Sequence, residues 1–168
     1  KEIDGGMILS NDGTVYVEQP EQEPDVDQIR TAKLAEVSSR CENAIFAGVD
    51  VELTDGSVEH ISLKEKDQIN LFGKQSQLAA GATQLEYHED GKLCKYYSAE
   101  DMTKIIEAAM KFVSYHTTYC NSINAWIKGT QTAEEIEAIQ YGAQIPDKYK
   151  SKVLKDYETC LLYTSDAA

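Results

Sequence analysis

SAEDMTKIIEAAMKFVSYHTTYCNSINAWIKG, residues Ser98 to Gly129, is the stretch that decides the fold. Met102, Ile105, Ile106, Ala109, Phe112, Val113, His116, Cys120, Ile123 and Ile127 recur at steps of three and four. That spacing lays one continuous apolar stripe along a helix and predicts a long central element. Ser98 followed three residues later by Asp101 is a variant of the N-terminal capping pattern, with Asp in place of Glu or Gln. The helix therefore starts at Ser98 and runs to about Lys128, where Gly129 ends it.

Outward from this helix the chain alternates turns and shorter helices. On its N-terminal side, Leu85-Glu86-Tyr87 and Leu93 to Tyr97 flank Glu89-Asp90-Gly91, a hairpin signal in which glycine supplies the positive φ of a tight turn. Val49 to Leu53 and Ser57 to Ile61 flank Thr54-Asp55-Gly56 in the same way, and Met7 to Val17 does so around Asn11-Asp12-Gly13. Two further helices are predicted. One covers Val26 to Ala47, capped by Asp25 and stopped by Gly48; the other covers Lys64 to Ala80, with Ile69, Leu71, Phe72 and Leu78 as its apolar side and Gly81 as its stop. Beyond Gly129, Thr132 caps a short helix over Ala133 to Tyr141, and Trp126 reads as the anchor on which that helix packs. Ile145-Pro146 then breaks the chain before a last segment bearing Tyr and Lys. The fold class is α+β: short β-hairpins packed on a long central helix with two or three supporting helices.

Residues 1–24 read as a hairpin followed by an acidic linker, since Glu18 to Pro24 joins two prolines to three glutamates and cannot pack. Residues 25–159 read as the α+β domain. Residues 160–168, CLLYTSDAA, resemble the translation of a sequencing-library adapter and are set aside as an artefactual tail. The opening at Lys1, with no initiator methionine, reads as a start that is missing or removed.

With 16 basic and 29 acidic residues the formal charge is −13, which repels phosphate backbones and anionic lipid. Nucleic acid is excluded as a partner. No apolar run approaches the roughly 18 residues of a membrane span, and Lys1-Glu2-Ile3-Asp4 carries no signal-peptide pattern, so the chain reads as made in the cytoplasm with no membrane partner. Cys41, Cys94, Cys120 and Cys160 lie far apart and form no C-x-x-C pair, which predicts buried thiols and neither a disulfide scaffold nor a zinc knuckle.

The sharpest metal option sets His116 and Cys120, four apart on one helix face, against His88 and Cys94 in the preceding hairpin. Five residues separate His88 from Cys94, a loose spacing for a tetrahedral chelate, so the expectation is a core His and Cys with no metal. Asp12, Asp55 and Asp90 precede glycines and read as turn residues whose side chains bond the local backbone, before any acid or base role. No nucleophile elbow and no phosphate loop occurs in the sequence. Asp67-Gln68-Ile69-Asn70 places amides and an acid at helix positions, where they can bond across to a neighbouring hairpin and fix its register. Ten tyrosines against one tryptophan suit protein interfaces and sugar platforms as well as core edges.

Several of these residues recur together: Arg30-x-x-Lys33-Leu34, Cys41-x-x-Ala44-Ile45-x-x-Gly48 and Asp67-Gln68-x-Asn70-Leu71, then Tyr87-His88-x-Asp90-Gly91, Tyr97-Ser98 and His116-x-x-Tyr119. The set, spread over Asp25 to Pro146, resembles a domain of unknown function carried by tail-associated proteins of bacteriophages and prophages of Gram-positive gut-type bacteria. The resemblance implies a virion part, in the fibre or baseplate region, that contacts other tail proteins or itself. It assigns no activity. The expectation is a noncatalytic component with no cofactor, whose structural motif is Asp67, Gln68, Asn70, Tyr87, His88, Asp90, Gly91, His116, Tyr119 and Trp126. A module for host-surface glycans, resting on the tyrosines, is the second reading, and a zinc-dependent or cell-wall-degrading enzyme the third.

Overall fold

The computed structural model describes residues 7–9, 15–17 and 25–165, with side-chain surroundings from residue 25 to 159. The Asn11-Asp12-Gly13 turn and the acidic linker lie outside the described residues. Strands β1 (Met7–Leu9) and β2 (Val15–Val17) pair antiparallel, with Ile8 opposite Tyr16.

Helix α1 (Val26–Phe46) starts at Asp25, whose backbone N–H donates to the Gln28 side chain at 3.2 Å. It ends at Gly48, which has a φ of +86° and sits so close to the Ile61 carbonyl that a Cβ would come within 2.3 Å of it. Only glycine serves there. Strands β3 (Val49–Glu52) and β4 (Val58–Ile61) pair antiparallel around Gly56, helix α2 (Glu65–Ala79) follows, and β5 (Gln84–Tyr87) pairs with β6 (Lys95–Ser98). Helix α3 (Ala99–Gly129) is the long central element that the stripe predicts. Ser98 caps it by accepting the Asp101 N–H at 3.0 Å, while the Asp101 carboxylate accepts the Thr54 N–H at 2.8 Å. One acid thus serves the helix start and the β3–β4 turn together, which holds its carboxyl below the usual range.

The fold class is therefore α+β, with two antiparallel hairpins and helices α1, α2 and the last helix packed on α3, and the short helix after Thr132 packed on α1. The apolar stripe divides between two cores. Met102, Ile105, Ile106 and Ala109 pack with Val51, Leu53, Ile61, Leu63, Leu71, Leu85, Tyr87 and Tyr97 from the hairpins and α2. Ile123 and Ile127 pack instead with Val37 of α1, with Ile136 of α4 (Ala133–Ala138), with Ile139 and Ile145, and with Leu154 of α5 (Lys152–Ser165).

Two expectations are corrected, the end of α4 and the burial of Cys94, while Gly129 ends α3 as expected. Helix α4 ends at Ala138, short of Tyr141, because Ile139 turns inward and is buried in an extended conformation. The last segment is a helix, α5, preceded by a 3-10 turn (Asp147–Tyr149) that the buried Lys150 ammonium ties to Glu158 at 2.8 Å. Gly129 is the last residue of α3 with no positive φ; a Cβ on it would come within 2.5 Å of the Tyr149 hydroxyl, so its role is to admit that ring. Cys94 is exposed, because residues 88–94 form the loop ahead of β6, whereas Cys41 is buried as expected and Cys120 is partly covered.

Charges close both long helices at their negative ends. His60 on β4 presents Nε2 to the Ala47 carbonyl at the end of α1 and Nδ1 to Asp50, each at 2.7 Å. Two acceptors require two N–H donors, so the imidazolium form suits the site, and the Asp50 hydrogen bond raises the pKa of His60. Arg30 of α1 donates to the Thr130 carbonyl at the end of α3, at 3.1 Å.

An uncharged face between α2 and α3

Helix α2 is anchored at its start by two residues of the Asp67-Gln68 motif. The Asp67 carboxylate accepts the Lys64 N–H at 3.2 Å, and Gln68 Nε2 donates to the Leu63 carbonyl just beyond β4 at 2.8 Å. Gln68 therefore braces the hairpin exit, while Asn70 faces solvent. With that start fixed, Leu71 turns into the core and Leu78 lies against it.

Ile69 and Phe72 do not follow. Both are 70% exposed, which corrects their expected place on the buried side. At about 100° per residue, Leu71 and Leu78 fall on one face, Ile69 lies about 170° round from it and Phe72 about 110°. The signal was in the spacing.

Beside Phe72 runs a groove of about 210 Å³ lined by Leu63, Leu71, Ile106, Ala109, Met110 and Val113, with Gln68, Gln75 and Ser114 as its polar members. Met110 is 51% exposed at its edge. From Ile69 to Ala80 the one charged residue is Lys74, which is turned to the Glu86 carboxylate of β5 and has a side chain only 14% exposed. The groove is thus lined by apolar and uncharged side chains alone, on a chain of net charge −13.

The remaining motif residues fall in two other places. Asp67 and Asp90 come together in a shallow cleft of about 540 Å³ with Glu42, Phe46, Ser62 and Lys64. Asp90 donates its backbone N–H to the His60 carbonyl at 3.0 Å, and Gly91 has the positive φ, +73°, that the turn requires. The Tyr87 ring is buried and stacks on His88 with centroids 5.4 Å apart; burial, then the Asp67 charge, push its phenol up to about 12.

His116, Tyr119 and Trp126 belong to the second core. His116 Nδ1 and the Tyr141 hydroxyl are hydrogen-bonded at 2.6 Å, and burial pushes the pKa of the imidazole down. Tyr119 donates to the Ala143 carbonyl at 2.7 Å and accepts the Gly142 N–H at 2.9 Å, which braces the segment after α4. Trp126 is partly buried against the second core, which Val37, Ile123, Ile127 and Leu154 share with Ile136 and Ile139.

The structure does not bring His88, Cys94, His116 and Cys120 together: the first two lie in the β5–β6 hairpin and the last two beside α1 and Tyr141. Among the described residues no group of three or more His, Cys, Asp or Glu side chains is placed to share a metal ion. Burial pushes the Cys41 thiol up to about 12, and its sulfur lies 3.5 Å from the His116 carbonyl. Asp55 accepts from the Ser57 N–H at 2.9 Å, the turn role expected of it.

Glu59 was not singled out in the sequence. It is 5% exposed and accepts from the Tyr97 hydroxyl and the Lys95 ammonium, so one carboxylate of β4 joins the two hairpins. A signal existed here too: Ile61 sets the inward phase of the strand, and a period of two puts Glu59 on the same side.

Comparison with curated proteins gives no match, and comparison with solved structures gives none. A family model described as a domain of unknown function, DUF4376, matches residues 28–141, from the first turn of α1 to just past α4. This stretch covers more than half of the sequence and contains both the uncharged face and the motif residues; the chain belongs to the DUF4376 family.

Proposed function

We propose that the chain is a noncatalytic component of a phage tail, in its fibre or baseplate region, acting through protein contacts made by the face between α2 and α3. One observation carries the contact role: Phe72 stands 70% exposed at the edge of a groove lined by apolar and uncharged side chains, with Ile69, also 70% exposed, one turn earlier towards the outer side of α2. Burying large apolar side chains of this kind contributes roughly 1.5–3 kcal/mol each. Covering Ile69, Phe72 and the open half of Met110 would therefore contribute several kcal/mol, enough to favour a specific partner. The placement in a phage tail rests on the motif resemblance, and it sets the site of action in the virion after synthesis in the bacterial cytoplasm.

Tyrosine packing supports this reading over glycan binding. Among the described side chains Tyr87, Tyr97 and Tyr119 are buried and Tyr115, Tyr141, Tyr149 and Tyr157 partly so, which leaves Tyr96 as the exposed ring. Mass spectrometry of fractionated virions tests the proposal. The chain is expected at a fixed ratio to other tail proteins; its presence in infected lysate with none in virions would overturn the role.

A further inference from the structure

We infer that the partner seated on the α2–α3 face is a second copy of this chain, related by a two-fold axis. This rests on the contact role proposed above and names its occupant. Two features of the face point to self-pairing. First, it carries a knob and a hole side by side: the Phe72 ring stands 70% exposed at the edge of the groove that it helps to line. A two-fold axis lets each ring enter the other copy's groove, the arrangement that a self-complementary patch requires. Second, the charges allow it. Two copies each of −13 repel, and they can approach closely only where no unpaired like charges meet. The groove that the ring would enter has no charged residue in its lining, and Lys74 on α2 is bonded to Glu86. On α3 the exposed Glu107 and Lys111, one turn apart beside Met110, are opposite in sign, so each can face the other's counterpart across the axis.

Gly73, one residue on from Phe72, lies on the outer side of α2. A Cβ there would meet nothing within 4 Å, so packing within one copy gives no reason for a residue that weakens a helix.

The test is sedimentation equilibrium of the full chain over a salt series. A dimer is expected whose dissociation constant falls as sodium chloride rises from about 50 to about 500 mM, because the screening length shortens about threefold and the repulsion fades with it. Phe72→Ser is expected to weaken the dimer about a hundredfold or more, since each dimer carries the ring twice. Tyr96→Ser removes another ring, 71% exposed, from outside the face and is expected to leave the dimer unchanged. Both positions are open to solvent, and melting curves of the two variants check that each is folded. A monomer at every salt concentration, a dimer that loosens as salt rises, or equal responses to the two substitutions would overturn the inference. Virions separate this from the underlying reading. A monomeric chain that Phe72→Ser removes from virions would leave the tail role intact with another partner, whereas a dimer lost in Phe72→Ser from a protein that virions lack would leave the pairing and end the tail role.

Discussion

Glu59 offers the most stringent test of how the hairpins are held together. Replacing it by Ala removes the acceptor of the Tyr97 hydroxyl, on a side chain only 3% exposed, and frees the Lys95 ammonium, whose side chain is 53% exposed. Lys95 turns to water at little cost. The phenol cannot: a buried hydroxyl left without a partner costs about 1–3 kcal/mol, and the lost bond to a charged acceptor about 1.5–3 kcal/mol. Taken together, Glu59→Ala is expected to destabilise the domain by about 3 kcal/mol. Tyr97→Phe alone costs about 1.5 kcal/mol, because the carboxylate keeps Lys95. The double variant falls short of the sum by roughly 1.5 kcal/mol, since either substitution breaks the same bond. Urea denaturation of the four proteins, read by far-UV circular dichroism, measures this coupling. A coupling below about 0.5 kcal/mol would refute the view that this carboxylate joins the hairpins.

Other outcomes follow from the same physics. One substitution at two helical glycines should act with opposite signs: Gly73→Ala, into open space, is expected to raise stability by up to about 1 kcal/mol, and Gly129→Ala, whose Cβ meets the Tyr149 hydroxyl at 2.5 Å and its ring at 2.7 Å, to lower it by about 1–3 kcal/mol, both read from thermal midpoints. Gly48→Ala combines a φ of +86° with a clash on the Ile61 carbonyl and is expected to cost more than 2 kcal/mol, roughly the strain of one left-handed residue plus overpacking. His60 has a pKa above its ordinary 6.5, so its contribution is complete below that pH and is lost as pH rises through the folded value. At 43% side-chain exposure this amounts to no more than about 1 kcal/mol, and denaturation at pH 6 and pH 8.5 should show it in the native chain and not in His60→Gln.

The strongest sequence signals were local ones. The stripe from Met102 to Ile127, the Ser98 cap and the glycines at 48, 56, 81 and 91 depend on the chain immediately around them, and the helices and hairpins follow within a few residues. What escaped depends on partners far away. Nothing near Gly129 announces the Tyr149 ring, and nothing near Ala47 announces His60 on the following hairpin. Tyr119 is buried although the stripe omits it, because α3 meets α1 and then the segment after α4 on different sides along its length. The candidate face was half legible. Asp67 and Gln68 stood out as polar residues in a helical run, and they anchor that helix. Ile69 and Phe72 are apolar, which alone points to the core, and only their angle around the axis, well away from Leu71 and Leu78, turns them to solvent.

If, as proposed, the chain is a virion component whose α2–α3 face makes the contacts, quantitative mass spectrometry of virions from isogenic strains registers it. The native chain and Tyr96→Ser are expected in purified particles at the same copy number, with Phe72→Ser strongly depleted there despite equal amounts in lysate. Equal incorporation of all three proteins would contradict the role of the face, and absence of the native chain from particles would contradict the account as a whole.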